Sequence, residues 1–266
     1  MPGREISAST ITVLLVCTGN ICRSALGERF GRAYLHEALG AAAADVHLAS
    51  AGTRARSGSG MHPDTAPVLE GLGGDPAGFT ARQLEAAMVT DADLVLTLTR
   101  EHRRTVLELA PRALSRTFTL REAAALLDVL DGARPAGEGF GDRARALVAT
   151  LAAARGRRSG GADDDIADPM GRPVDAHQEV GQAVAEALLR VLTALVAVHP
   201  ARDGAGPSVD TTSSIHEARG DALNDGSVAP AAAERTMHIG FAGGRPSELR
   251  RRRGPFGLLG RRGASA

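Results

Sequence analysis

The fold is decided by residues 11–24, which read ITVLLVCTGNICRS. The first part, Ile11–Val16, is an apolar and partly β-branched run that ends at a turn signal, Gly-Asn, and this predicts a buried strand. Ser24–Leu39 follows with apolar residues toward one face and predicts a helix. A buried strand that passes through a short loop into a helix is the first half of a βαβ unit.

The same alternation of strand and helix continues along the chain. Further strands are predicted at Val46–Ala49, Leu94–Leu98 and Arg116–Thr119. Further helices are predicted from the turn His62-Pro63-Asp64 to Leu72, and at Thr99–Leu109, Leu120–Leu130, Arg143–Ala154 and Val174–Val198. Because strands joined through helices pair in parallel, the sequence predicts an α/β fold in which helices cover both faces of a parallel sheet.

The composition excludes several classes of function. The 266 residues carry 31 basic and 31 acidic side chains, so the zero net charge gives no support for nucleic-acid binding by the whole chain. All the basic residues are Arg, which excludes Schiff-base chemistry and the lysine-dependent nucleotide loop. The two cysteines, Cys17 and Cys22, are too few for a disulfide framework and make a poor zinc site, so we expect a reducing cytoplasm and no metal.

The loop between the first strand and the first helix has the features of an anion site. A loop that curls over six residues in front of a helix turns its N–H groups into one concavity, at the positive end of the helix dipole. Gly19 and Asn20 tolerate the positive φ that such a loop needs. Arg23 adds a planar fork that matches two oxygens of a dianion.

Cys17 is predicted to lie at the floor of this cradle. A helix N-terminus and a neighbouring cation stabilise a thiolate, so the sequence predicts a nucleophilic sulfur here. Ser24 is placed to donate a hydroxyl hydrogen bond to that sulfur. A dinucleotide site is not indicated, because the pattern Gly-x-Gly-x-x-Gly is absent from this turn.

Transfer of a phosphoryl group to a thiolate also needs an acid for the leaving oxygen. The stretch Asp163–Pro169 offers four carboxylates just before the long C-terminal helix. Asp168 precedes a proline, which restricts its backbone and helps to hold the carboxylate in one pose. Asp75-Pro76 is the same dipeptide in what the pattern predicts to be a plain turn, and position in the fold decides between the two.

The loop Cys17–Ser24, CTGNICRS, resembles the active-site loop of the low-molecular-weight protein tyrosine phosphatases. Supporting stretches follow in the order of that family: Ser50-Ala51-Gly52-Thr53, Ala81-Arg82-Gln83-Leu84, Asp93-Leu94-Val95-Leu96 and Asp168-Pro169. The resemblance implies a four-stranded parallel sheet with flanking helices and a site without metal or cofactor. It also implies Cys17 as nucleophile, Arg23 as phosphate clamp and Asp168 as general acid, with phosphate bound by Thr18, Gly19, Asn20, Ile21, Cys22 and Ser24.

The function implied is hydrolysis of phosphotyrosine in a protein partner through a phosphocysteine intermediate. Two alternatives stay open: an arsenate reductase on the same scaffold that uses a small thiol, and a non-catalytic binder of phosphate or phosphopeptides. The chain departs from the family pattern near the acid, where Met170 and Gly171 replace the usual aromatic residues. Phe79 stands where a histidine often supports the loop asparagine.

The domain limits follow from composition. Residues 1–9 are predicted to be a flexible leader, 10–199 the phosphatase-like catalytic domain and 200–266 a disordered tail without apolar periodicity. The Arg-rich end of the tail, Arg245–Arg262, is a candidate for contact with acidic partners. No signal peptide or membrane span is predicted, since the longest strongly apolar stretch, Ala187–Val198, has 12 residues and a bilayer needs about 20.

Overall fold

A computed structural model describes residues 9–130 and 135–200, which form a four-stranded parallel sheet with α-helices on both faces. The strands are β1 Ile11–Cys17, β2 Val46–Gly52, β3 Leu94–Thr97 and β4 Thr117–Thr119. The helices are α1 Arg23–Leu39, α2 Ala66–Gly71, α3 Ala86–Asp91, α4 Arg100–Leu109, α5 Leu120–Val129, α6 Phe140–Ala154 and α7 Val174–Ala197. The predicted α/β fold is confirmed.

Every predicted strand and helix has a counterpart whose ends differ by a few residues. β2 runs three residues further than predicted, because Ser50, Ala51 and Gly52 continue the pairing with β1. One α-helix among the described residues was not predicted: α3 has six residues and buries only Val89, which is too little apolar periodicity to indicate a helix.

β1 lies inside the sheet, whose strand order is β2-β1-β3-β4. β2 pairs with one edge of β1, and the chain then crosses to the other edge, where β3 and β4 follow. Such a reversal of strand order opens a crevice at the carboxyl ends of the strands, where α/β proteins bind ligands. Cys17, the last residue of β1, lies at this crevice.

β1 is buried along its whole length, which explains its continuous apolar sequence. Val13, Leu15 and Cys17 face a core shared with α1, α5, α6 and α7. Leu14 and Val16 face a second core shared with α3 and α4. Packing from both sides therefore fixes the point from which the following loop begins.

α7 is the one helix among the described residues whose length and mean hydropathy, 1.6 over 18 residues, are those of a membrane span. Its apolar face packs instead against α1 and α5, and 56% of this 18-residue stretch is buried inside the protein. The apolar residues at helical spacing predict a buried face, and five of the six are at most 2% exposed, namely Val184, Leu188, Val191, Leu192 and Leu195. The sixth, Val198, is only partly buried. These are the contacts of a core helix.

Two of the predictions concern parts of the chain that lie almost wholly outside the described residues. The leader, residues 1–9, is described only at Ser9, and the tail, residues 200–266, only at Pro200. The disorder and the Arg-rich contact surface predicted for them therefore stay predictions.

Candidate active site

The loop after β1 turns its backbone N–H groups into a concavity. Its carbonyl oxygens point outward and accept hydrogen bonds at 2.8–3.0 Å from the segment after β2: Thr53 donates to Cys17, Arg54 to Thr18, Arg56 to Gly19 and His62 to Ile21. In a planar trans peptide the N–H points opposite to the carbonyl, so the N–H groups of residues 18, 19, 20 and 22 face the concave side. Asn20 has a φ of 54°, in the left-handed region that asparagine tolerates.

Gly52, the last residue of β2, lies directly against this loop. A Cβ atom at this position would lie 2.5 Å from the backbone oxygen of Thr18 and 3.0 Å from the backbone nitrogen of Asn20. Only a residue without a Cβ allows so close an approach of two backbones. This contact is the physical reason for glycine in the Ser-Ala-Gly-Thr motif.

The Cys17 sulfur lies at the floor of the concavity. Its Sγ accepts a hydrogen bond from the backbone N–H of Asn20 at 3.3 Å and lies 2.9 Å from the Ser24 hydroxyl oxygen. The residue is 2% exposed. Contacts from two sides hold the sulfur in one position relative to the cradle, which is the geometry that attack on a bound phosphorus needs.

The Asn20 side chain holds the loop from behind. Its amide nitrogen donates to the hydroxyls of Ser24 and Ser50 at 2.9 and 2.8 Å, and its oxygen accepts from the backbone N–H of Arg82 at 2.9 Å. Ser50 in turn donates to the Glu28 carboxylate at 2.5 Å. The residues of this network, apart from Arg82, are at most 4% exposed, so the hydrogen bonds act at low dielectric and make the loop rigid.

Arg23 places its guanidinium beside the loop, with a side chain that is only 3% exposed. Its Nη1 donates to the Ile166 carbonyl oxygen at 3.0 Å, while Nη2 donates to the Asp168 carboxylate at 2.5 Å and to the Thr18 hydroxyl at 3.4 Å. Its Nε is buried and has no hydrogen-bond partner among the described residues. A buried N–H of a charged group is costly without an acceptor, and a bound anion would supply one.

Asp168 is the aspartate that reaches the loop, through its contact with Arg23. Asp164 and Asp165, in the same stretch, pair with other arginines. Asp75, the other Asp-Pro candidate, accepts from a backbone N–H two residues on, in an exposed turn. The structure thus brings the three predicted catalytic residues to one place.

Comparisons with known proteins agree with this geometry. A model of the low molecular weight phosphotyrosine protein phosphatase family matches residues 12–142. A Klebsiella pneumoniae protein named for that family is 31% identical over 129 residues, which are 48% of this chain and 84% of the relative. The chain belongs to this phosphatase family.

Two further similarities extend the comparison. The low molecular weight protein-tyrosine-phosphatase Etp of Escherichia coli K12 is 36% identical over 110 residues, which are 40% of this chain and 67% of Etp. The solved structure of the YwlE arginine phosphatase from Geobacillus stearothermophilus is 25% identical, with a TM-score of 0.50, and the match covers 70% of this chain and 92% of YwlE. The family resemblance inferred from the sequence is confirmed.

His102, on α4, is a part of this phosphatase site that the sequence analysis missed. Its Nε2 lies 2.9 Å from the Thr18 hydroxyl, and its Nδ1 lies 2.9 Å from the Thr99 hydroxyl. Burial, together with the Arg23 charge, lowers the pKa of His102 to about 4, so the ring is neutral at neutral pH. The available signal was its position just after the carboxyl end of β3, the edge where such sites form.

Cys22, the second cysteine of the phosphatase loop, is 4% exposed. Burial raises the pKa of its thiol to about 11, and the neighbouring Cys17 adds to the shift while a hydrogen bond with Thr65 opposes it. Its sulfur lies 3.7 Å from the Met170 sulfur. At neutral pH Cys22 is therefore a protonated thiol and a poor nucleophile.

The departures from the family pattern have structural consequences in this phosphatase. Phe79, 7% exposed, packs in a cluster with Ile21, Cys22 and Ala25, so the loop is supported there by apolar contact. Met170, 38% exposed, follows Asp168-Pro169 and offers a thioether where aromatic residues usually stand. The loop keeps its support, whereas the surface offered to the substrate differs.

Proposed function

We propose that this phosphatase hydrolyses phosphotyrosine in protein substrates, with Cys17 as nucleophile, Arg23 as phosphate clamp and Asp168 as general acid. The observation that carries the proposal is the buried Arg23 guanidinium, whose Nε lacks a partner among the described residues while Nη2 holds the Asp168 carboxylate at 2.5 Å. A phosphate dianion in the loop would satisfy that Nε and lie next to the carboxylate. Relatives named as protein-tyrosine-phosphatases support the substrate class.

In the first step the Cys17 thiolate attacks phosphorus, the bond to the tyrosine oxygen breaks, and Asp168 donates its proton to that oxygen. The inward N–H groups of the loop and Arg23 stabilise the equatorial phosphoryl oxygens. Arg23 must exchange its contact with Asp168 for the phosphate. The Asp168 side chain is 42% exposed, which leaves room for that movement.

In the second step a water molecule attacks the phosphorus of the phosphocysteine while Asp168 accepts a proton from that water. The sulfur–phosphorus bond breaks, inorganic phosphate leaves and Cys17 returns as the thiolate. The Ser24 hydroxyl, 2.9 Å from the Cys17 sulfur, stabilises the sulfur as it departs.

Turnover of a phosphotyrosine peptide and of an aryl phosphate tests this proposal. Cys17→Ser should reduce both rates to background but still bind inorganic phosphate in calorimetry, because the cradle and Arg23 remain. Turnover that survives in Cys17→Ser contradicts the mechanism. Thiol-dependent reduction of arsenate without phosphatase activity would favour the reductase alternative, and phosphate binding without any turnover would favour the binder.

Phosphoarginine is a second candidate substrate. The YwlE structure is named as an arginine phosphatase, and residues 168–173 of this chain, Asp-Pro-Met-Gly-Arg-Pro, hold no aromatic side chain to contact a tyrosine ring. The Met170 thioether favours phosphotyrosine instead, because methionine sulfur makes favourable contacts with aromatic rings. The ratio of kcat/KM for matched phosphotyrosine and phosphoarginine peptides decides, and we expect phosphotyrosine to be preferred.

We also propose that the catalytic domain spans residues 10–199 and works in a reducing cytoplasm. Both thiols, Cys17 and Cys22, are unbridged, as they would be in that compartment. The Arg-rich end of the tail, Arg245–Arg262, is proposed to contact acidic partners.

A further inference from the structure

Three potential metal ligands meet beside the active-site loop. Cys22 immediately precedes α1, His62 lies in the turn before α2, and His177 lies in the first turn of α7. Their potential ligand atoms all lie within 4.8 Å of one another. The two imidazole rings are stacked, with centroids 4.8 Å apart. These three residues are called the Cys-His-His cluster below.

His177 has a ring nitrogen that lacks a partner. Its side chain is 1% exposed, and Nε2 makes no hydrogen bond to any described residue. Its other nitrogen, Nδ1, lies 2.9 Å from the Thr65 hydroxyl. Metal-binding histidines commonly coordinate through one ring nitrogen while the other is held by such a partner. Thr65 therefore orients the ring and leaves Nε2 available as a ligand.

A carboxylate lies next to both rings. Asp64 Oδ2 is 3.8 Å from His62 Nδ1 and 3.9 Å from His177 Nε2, too far for a hydrogen bond to either. His62 Nδ1 instead accepts a hydrogen bond from the Asp64 backbone N–H at 3.2 Å. A cation bound by ring nitrogens in the planes of the rings would attract the carboxylate as a fourth ligand or as an outer partner. The cluster is also tied to the loop, because the His62 backbone N–H donates to the Ile21 carbonyl oxygen at 2.8 Å.

The ligand types suit a small thiophilic ion. Cys22, Thr65 and His177 line a small cavity of about 10 Å³, which is near the minimum that holds one water molecule, and His62 lies outside its lining. A thiol with two imidazoles is a donor set for zinc and not for magnesium or calcium. Sulfur and nitrogen ligands of tetrahedral zinc lie about 3.6 Å apart, so the cluster must contract by roughly 1 Å.

The two cysteines alone make a poor zinc site and the sequence predicts no metal, but the fold adds two histidines to Cys22. We propose that the Cys-His-His cluster binds one zinc ion, with Asp64 completing the coordination. The sulfur–zinc bond forms as the Cys22 thiol releases its proton to solvent, and no electron is transferred. The ion links the active-site loop to the turn before α2 and to α7, three parts of the chain that are far apart in sequence.

Cobalt(II) titration of the full-length chain tests the site, in a Cys17→Ser background where Cys22 is the one remaining thiol. We expect a 1:1 complex with thiolate-to-cobalt charge-transfer absorption and the visible bands of four-coordinate cobalt. Both spectral features should disappear when equimolar zinc(II) displaces the cobalt. In the same background Cys22→Ser should remove the charge-transfer band. His62→Gln and His177→Gln should each weaken binding at least about tenfold.

His36→Gln is the matched control, because His36 is an exposed histidine on α1 away from the cluster. It should bind cobalt(II) as the background protein does. The melting temperature of each metal-free variant is measured first. If the buried substitution His177→Gln prevents folding, His62→Gln still tests the site, because His62 is partly exposed and its replacement is expected to leave the fold intact. Absence of the charge-transfer band, or equal affinity of His62→Gln and His36→Gln, overturns the proposal.

Discussion

The active-site loop and the aspartate segment, residues 163–169, meet at the Arg23–Asp168 ion pair but are held in different ways. The loop is buried, with Asn20 at 0% exposure and its outward carbonyls bonded to the segment after β2. The aspartate segment is anchored at Ile166, which is 1% exposed and donates its backbone N–H to the Leu98 carbonyl oxygen at 2.8 Å, while aspartate side chains on either side of it pair with arginines such as Arg100. Asp168 itself has a side chain that is 42% exposed.

This difference separates two requirements of catalysis. Stabilisation of charge needs donors that are fixed before the substrate arrives, and the buried network around the loop supplies them. As the proposed general acid, Asp168 must leave Arg23 and follow the leaving group, and its side chain, which is 42% exposed, has room to do so. α4 touches both regions, because His102 bonds to the loop and Arg100 bonds to the aspartate segment.

The largest effect in the aspartate segment is expected from Asp168→Asn. General acid catalysis contributes about 10²–10⁴-fold and matters most for a poor leaving group. The variant should therefore lose that factor on phosphotyrosine, whose phenol has a pKa near 10, and much less on an aryl phosphate with an acidic phenol. Asp163→Asn, an exposed aspartate of the same segment, is the control and should keep the wild-type ratio of the two rates. If Asp165→Asn shows the full dependence on leaving group and Asp168→Asn does not, the acid is misassigned.

The pH dependence of stability tests how the loop is supported by His102. The unfolded chain binds a proton to this histidine near pH 6.5 and the folded protein only near pH 4, so the free energy of unfolding should fall as the pH falls through that window. The loss attributable to His102 is up to about 3 kcal/mol. His102→Gln should flatten this part of the profile in urea titrations at pH 7 and pH 4.5.

His177 contributes in the same direction, because burial and the neighbouring His62 lower its pKa as well. The profile of His102→Gln should therefore be flatter than that of the wild type but not level. A profile identical to that of the wild type would show that the ring is not a buried neutral support of the loop.

A smaller effect is expected from Arg100→Ala, which removes an anchor of the aspartate segment. The Arg100–Asp165 pair is largely exposed, and such pairs contribute about 0–1 kcal/mol to stability. We expect the melting temperature to change little and kcat on phosphotyrosine to fall severalfold, with less effect on the activated aryl phosphate. Arg104→Ala, an exposed arginine on the same helix, should leave both rates unchanged. Equal rates for Arg100→Ala and Arg104→Ala would contradict the proposal that Arg100 anchors the aspartate segment.

The smallest effect is expected from truncation after Pro200. The core contacts of α7 end before this residue, so the melting temperature should shift by less than about 2 °C and the rate on a small aryl phosphate should stay unchanged. Calorimetry and steady-state kinetics on both chain lengths check this. Marked destabilisation of the shorter chain would place the domain boundary beyond residue 200.

The sheet and the loop could be predicted because their signals are local. Ile11–Val16 is apolar along its whole length since it is buried on both faces, and Cys17, Arg23 and Ser24 lie within eight residues of one another. The assignment of Asp168 needed the family resemblance, because Asp75-Pro76 carries the same local signal. α3 could not be predicted, because six residues with one buried side chain show no apolar repeat at helical spacing.

The sequence by itself determined the order of strands and helices, the anion-binding loop and the exclusion of lysine chemistry. Only the tertiary structure shows that Asp168, 145 positions further along the chain, is the aspartate that contacts Arg23. Only the tertiary structure shows the contact between His102 and Thr18. The same holds for His62 and His177, which meet Cys22 although nothing in their local sequence relates them. Periodicity fixes which face of an element is buried, whereas the packing of elements against one another fixes which distant side chains meet.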